Sequence, residues 1–200
     1  MSVRIASIVE GDGEVESLPI LIRRIAHSLD ESAFDIDPAK PILVGRQKVI
    51  RPGELERYVE LAAGTVGVNG GILLVLDSDD DCPAQLGPEL LNRMRVARGD
   101  IPSAAVLAHR EYEAWFLAAA ESLRGKRDLP ADLAAPDDPE SIRGAKEWLG
   151  RQMQRKYIST RDQPALTAAM DLAQALRARS FAKFHREIVR LCGGLRHHSE

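Results

Sequence analysis

Gly71-Ile72-Leu73-Leu74-Val75-Leu76, running directly into Asp77-Ser78-Asp79-Asp80-Asp81, is the stretch that decides the fold. Six residues without a polar side chain, halted abruptly by acid, are what a parallel strand covered on both faces requires. The neighbouring segments repeat the theme. Val3 to Val9 is a short β-branched run closed by Gly11 and Gly13. After it, Val15 to Leu29 places Leu18, Leu21, Ile22, Ile25 and Leu29 at helical spacing. Ile42 to Val44, with continuation toward Ile50, precedes a helix beginning near Pro52 that aligns Leu55, Tyr58, Val59 and Ala62. A third helix is expected after Pro88 and a fourth strand over Ala104 to Ala108. Tyr112 to Leu123 reads as a helix that buries Trp115, Phe116 and Ala119. Strands alternating with helices predict a Rossmann-like α/β fold, a mostly parallel four-stranded sheet flanked by helices. Functional groups then belong at the carboxyl ends of the strands.

The α/β domain is expected over residues 1–123. Residues 124–140, rich in Pro, Asp and Ala, read as a linker, and residues 141–200 as a basic helical extension. Three helices are expected in that extension, near Ser141 to Arg155, Pro164 to Arg177 and Phe181 to Cys192, with a stop at Gly193-Gly194. Phe181 and Phe184 fall on its buried side. The His197-His198 pair reads as a disordered tail. The net charge of −3 is polarised: residues 1–140 carry 15 basic against 25 acidic side chains, residues 141–200 carry 12 against 5. An acidic body suits cations and a basic tail suits phosphates, although contact between the two halves accounts for the pattern almost as well. Neither apolar run, Gly71 to Leu76 nor Ala114 to Ala120, reaches the roughly 18 residues a bilayer requires, and no basic segment leads into an apolar one, so a cytoplasmic protein without a membrane partner is expected. Cys82 and Cys192 stand alone, which argues against a disulfide framework and against zinc.

Three acidic clusters fall where strands are expected to end. Glu10-Gly11-Asp12-Gly13-Glu14 lies in the first turn, with Glu10 at the strand end and Glu14 opening the helix, where simple helix-dipole capping explains Glu14 equally well. In the second cluster, Asp77 and Asp79 project to one side if the chain stays extended, so both can face one cation. Asp80 and Asp81 suit a solvated turn. Glu111 and Glu113 repeat the period of two beyond the fourth strand, with helix capping as the plain alternative. Oxygen donors without His or Cys point to Mg²⁺ or Mn²⁺, and two such ions about 3.5 to 4 Å apart can drive phosphodiester cleavage.

The Glu-Gly-x-Gly-Glu loop, the Asp-x-Asp-x-Asp run and the apolar parallel frame resemble the Toprim domain of topoisomerases, bacterial primases and nucleases of the overcoming-lysogenization-defect (OLD) type. Glu-x-Glu-Ala-Trp at Glu111 to Trp115, with a helical tail behind it, resembles the small Toprim-like bacterial proteins of unknown function grouped as DUF4276. The resemblance covers residues 1–120. It implies that Glu10 is the acid-base residue with Glu14 near it, that Asp77 and Asp79 bind metal with Asp81 as the third acid, and that Glu111 and Glu113 are further ligands. It also implies a basic residue at the leaving group, for which Lys146 and Lys156 are candidates. Arg143, Lys146, Arg151, Arg155 and Lys156 partly line one helix side, and Arg179, Lys183, Arg186 and Arg190 recur on another. Such faces can follow a phosphate backbone, although most are simply solvated.

The leading expectation is a metal-dependent nuclease acting on DNA or RNA, in defence against foreign DNA beside an ATPase partner, as the resemblance implies. A non-catalytic module that binds cation and nucleic acid, or an ATPase, is the alternative. A phosphoacceptor receiver domain ranks lower, because the fourth strand ends without Ser or Thr and no fifth strand with a following Lys is evident. An EF-hand fails because Cys82 and Pro88 occupy its Gly and Glu positions, and no P-loop motif is present. The sequence leaves a homo-oligomer open.

Overall fold

A computed structural model describes residues 3–29, 36–67 and 69–193. The chain forms, in order, β1 (Val3–Val9), α1 (Asp12–Leu29), β2 (Ile36–Pro38), β3 (Ile42–Leu43), α2 (Arg46–Val49) and α3 (Glu54–Val66). Then follow β4 (Gly70–Asp77), α4 (Pro83–Ala97), β5 (Ser103–Ala108), α5 (Ala114–Ala118), α6 (Ala145–Gln152), α7 (Ser159–Ala169), α8 (Leu172–Ala175) and α9 (Arg179–Gly193). Every strand pairing is parallel, and the sheet order is β2-β1-β4-β5. The α/β class and the parallel sheet are as the sequence predicts. One strand was not expected: β2 pairs with the start of β1 and β3 with its end, so the edge is built from two short pieces on either side of Ala39-Lys40-Pro41. Their joint is stitched by the Ala39 N–H to the Ile5 carbonyl.

The central strand β4 is apolar because both of its faces are covered. Leu73 and Val75 enter one core, Ile72, Leu74 and Leu76 the other. Gly70 opens the strand because a side chain there would lie 2.4 Å from Val66 and 2.8 Å from the Arg4 carbonyl. Helices α3 and α4 cover one face. The other face is covered by α1 together with α5, α6, α7 and α9, and residues 141–193 supply 13 of the 34 described buried residues of the larger core. Trp115 fixes this arrangement. Its ring centroid lies 5.4 Å from Phe181 and 5.2 Å from Phe184, and its indole N–H donates to the Ser180 hydroxyl at 2.8 Å.

Several boundaries differ from the sequence reading. Helix α4 begins at Pro83, whose fixed φ suits a first helical position, and runs on through Pro88. The helix expected from Tyr112 is only five residues of α-helix followed by a 3₁₀ turn over Ala120–Leu123. The helix expected over Pro164 to Arg177 starts at Ser159 and breaks after Ala169. Gly194 and the His197-His198 pair lie outside the described residues. Among the described residues no helix is long and apolar enough to cross a membrane.

Candidate functional site

The carboxyl ends of β1 and β4 bring the first two acidic clusters together. The Glu10 carboxylate accepts a hydrogen bond from the backbone N–H of Asp77, 67 residues away. The Asp77 carboxylate turns inward, accepts from the Tyr112 N–H at 2.7 Å and stands 3.8 Å from the Lys146 ammonium. Lys146 also lies 3.6 Å from Glu113, whose side chain has no exposed surface. Glu14 completes the group from the first turn of α1, where the Gln163 amide donates to it at 3.0 Å. That contact needs Gly13, since a side chain there would come 1.7 Å from the Gln163 amide oxygen and block the seat of α7 on α1.

Charge in this cluster is unbalanced. Burial pushes Glu113 up to about 7, with Lys146 opposing and Glu14 adding to the rise. Burial raises Asp77 well above the ordinary carboxylate range, and the neighbouring Glu113 raises it further. Glu10 is raised by burial, against the Asp77 N–H and the Arg46 guanidinium. Burial alone would lower the Lys146 ammonium, but Glu113, Asp77, Glu111 and Glu14 outweigh it and hold the group charged. Both Glu113 oxygens, one Glu14 oxygen and the Gln163 amide oxygen are buried without a hydrogen bond of ordinary geometry, and the buried Tyr157 hydroxyl stands near Glu113. Buried acceptors are seldom left so, and these four leave room for a cation or another donor.

Other expected site residues are placed elsewhere. The strand ends at Asp77, and the positive φ of Asp79, 50°, swings the chain away, so Asp77 and Asp79 do not share a side. Asp79 lies 3.3 Å from Arg46, and Asp81 is also bonded by it. Glu111 faces neither Asp77 nor Glu113. Its two oxygens accept from the Ala145 and Lys146 N–H groups at 3.2 and 3.3 Å, which caps α6. The expected basic helix side is split as well, because α6 covers only Ala145–Gln152: Arg143 bridges to Asp80 at 2.7 Å, and Arg155 is held by Asp128 and Asp162. Lys156 lines a cavity of about 550 Å³ with Lys146 and Glu14, while Lys183 and Arg186 line a larger one. Among the described residues no three His, Cys, Asp or Glu side chains stand in metal-ligating geometry.

The sequence reading missed Arg46. Its guanidinium is almost buried after β3 and holds the Asp77 and Ser78 carbonyls as well as the two aspartates. Its place just after a short strand at the same rim was the signal available in sequence. Tyr157 and Gln163 were missed too, since nothing local to them distinguishes residues that complete a site from the C-terminal helices.

Fold and cluster define an α/β protein with a carboxylate-rich polar site at the carboxyl rim of a parallel sheet. The chain belongs to the family DUF4276, a domain of unknown function, whose model matches residues 9–189. No curated protein and no solved structure is significantly similar to it.

Proposed function

We propose that the chain is a divalent-metal-dependent nuclease related to the Toprim nucleases, with its site at Glu10, Asp77, Glu113 and Lys146. The observation that carries this reading is the convergence of Glu10 and Asp77, far apart in sequence, on a buried group with unsatisfied carboxylate oxygens. The donors are hard carboxylate oxygens of the kind Mg²⁺ or Mn²⁺ takes, although Glu10 and Asp77 each already accept one backbone hydrogen bond. Glu10, Asp77 and Glu113 would hold the ion, with Glu14 behind them. When bound, the ion supplies activation of water and stabilisation of the leaving oxygen. The geometry supports one ion more readily than two, because Arg46 already engages Asp79 and Asp81. Lys146 is kept charged by its carboxylate neighbours and, at 39% exposure, can reach a bound phosphodiester. It is the residue placed to neutralise charge on the leaving oxygen. Glu10, held in position by the Asp77 N–H and raised by burial, is placed to accept a proton from water.

Incubation of the purified protein with Mg²⁺ or Mn²⁺ and labelled DNA or RNA should give cleavage that EDTA abolishes. Glu10→Gln and Asp77→Asn should each lower the rate by about 100-fold or more. Cleavage that persists unchanged in both variants would falsify the assignment. A second reading, a non-catalytic module that binds cation and nucleic acid or an ATPase partner, draws on the place of Lys146, whose ammonium sits between the two carboxylates an ion would bridge. It predicts that Mn²⁺ raises the melting temperature with no turnover of any nucleic acid.

A further inference from the structure

Beside the carboxylate cluster, on the same rim of the sheet, a cavity of about 1020 Å³ opens between the start of α4, the end of β5 and the first half of α9. Its floor is apolar, with Pro83, Pro88 and Leu107, and one wall carries Arg179, Lys183 and Arg186. The acids around it are largely committed. Glu121 is bonded to Arg177 at 2.9 Å, and the Glu140 carboxylate is taken up by the Arg179 and Ser180 N–H groups, each at 2.9 Å. Asp137 and Asp138 remain exposed at the opposite edge. Among the described residues, Arg179, Lys183 and Arg186 meet no carboxylate within ion-pair distance, and Lys183 is only partly exposed. A half-buried ammonium whose acidic neighbour, Glu187, is already bonded to Arg190 is costly and is relieved by a bound anion.

We propose that this cavity seats the phosphodiester backbone of a single nucleic-acid strand next to the carboxylate cluster, Arg179, Lys183 and Arg186 holding phosphates while the apolar floor receives a base. The inference rests on the nuclease reading for its substrate, and it adds where the strand lies away from the reacting bond. A positively charged track with apolar contact for bases is how single strands are held without sequence preference. The exposed thiol of Cys82 lines the same cavity, whereas Cys192 is buried, so the protein carries its own reporter of occupancy.

The test uses the full chain in EDTA, where cleavage cannot intervene. Fluorescence anisotropy with a labelled single-stranded oligonucleotide should show binding that weakens with salt. Arg179→Glu together with Arg186→Glu, both exposed positions, should weaken it about 10-fold or more, and Lys183→Gln should lower the log-log salt slope by about 1. The oligonucleotide should also slow modification of Cys82 by a thiol reagent several-fold, and ATP at matched phosphate concentration should not. Native affinity in the double variant, an unprotected Cys82, or protection by ATP alone would each overturn the proposal. Metal-dependent cleavage accompanied by any of these would sink this inference and leave the nuclease reading standing. Protection without cleavage would do the reverse.

Discussion

Asp162 and Glu113 are both carboxylates without exposed surface, and the molecule treats them in opposite ways. Asp162 accepts from Arg127 at 3.1 Å, from Arg155 at 2.8 and 3.0 Å, from Arg161 at 3.1 and 3.2 Å and from the Ile158 N–H at 2.9 Å. Burial would raise it, yet these partners hold it far below the ordinary carboxylate range. Glu113 has one ammonium at 3.6 Å, Asp77 and Glu14 as acidic neighbours, and beyond these only the nearby Tyr157 hydroxyl, which makes no hydrogen bond of ordinary geometry to it. One carboxylate is complete within the fold. The other is left short of positive charge, which is the condition under which a buried acid marks a site and not a brace.

The contrast breaks most visibly at Asp162. Asp162→Ala removes the shared partner of three arginines that stay partly exposed and can be solvated, so the loss should be about 2 to 3 kcal/mol. A urea midpoint within error of the native protein's would mean that Asp162 is no brace. The sign with pH follows from its depressed folded value: its contribution is present above the unfolded pKa, about 3.9, and is lost as pH falls toward the folded value. Acid unfolding of Asp162→Ala should therefore start from lower stability and be shallower.

Glu113→Gln should act in the opposite direction. In metal-free protein the folded pKa, about 7, exceeds the unfolded one, about 4.3, so the group's contribution is fully present below about pH 4.3 and disappears as pH rises through about 7. Native stability should fall by about 3 to 4 kcal/mol across that window. The variant, which carries no titrating proton, should lose that slope and be the more stable protein at pH 8, and on the proposed function it should also lose any thermal stabilisation by Mn²⁺. A variant less stable than native at pH 8 would show that Glu113 is as satisfied as Asp162.

Sequence alone reached the sheet and one side of this contrast. β1, β4 and β5 were legible because each is an apolar run cut off by a polar or glycine-containing turn. β2 was not, because Ile36-Asp37-Pro38 has neither alternation nor an uninterrupted apolar run, and Pro38 confines it to an edge. Glu10 and Asp77 were found because strand ends in a parallel sheet share one rim. Asp79 was lost to a single positive φ, which no spacing rule reveals. The role of Asp162 was invisible, since Arg127 reaches it from 35 residues away and Arg155 bends back to it across the turn before α7.

Glu111 is the smallest test and the one that divides the two categories most finely. Sequence made it the twin of Glu113, two residues away and equally fit to face a metal, but the chain turns between them and sends its carboxylate to the start of α6. If it is a cap, Glu111→Ala should cost about 1 kcal/mol, and Glu111→Gln, which keeps one acceptor oxygen, roughly half as much. If it were a ligand, both variants would abolish cleavage alike, because a neutral amide is a poor donor to Mg²⁺. The cap has one route to the chemistry: its two hydrogen bonds go to Ala145 and Lys146, so loosening it loosens the backbone that carries the Lys146 ammonium toward Asp77 and Glu113. On the proposed function, cleavage by Glu111→Ala should accordingly fall only a few-fold, with Glu111→Gln recovering most of the loss, a graded response that a direct ligand to the ion would not give.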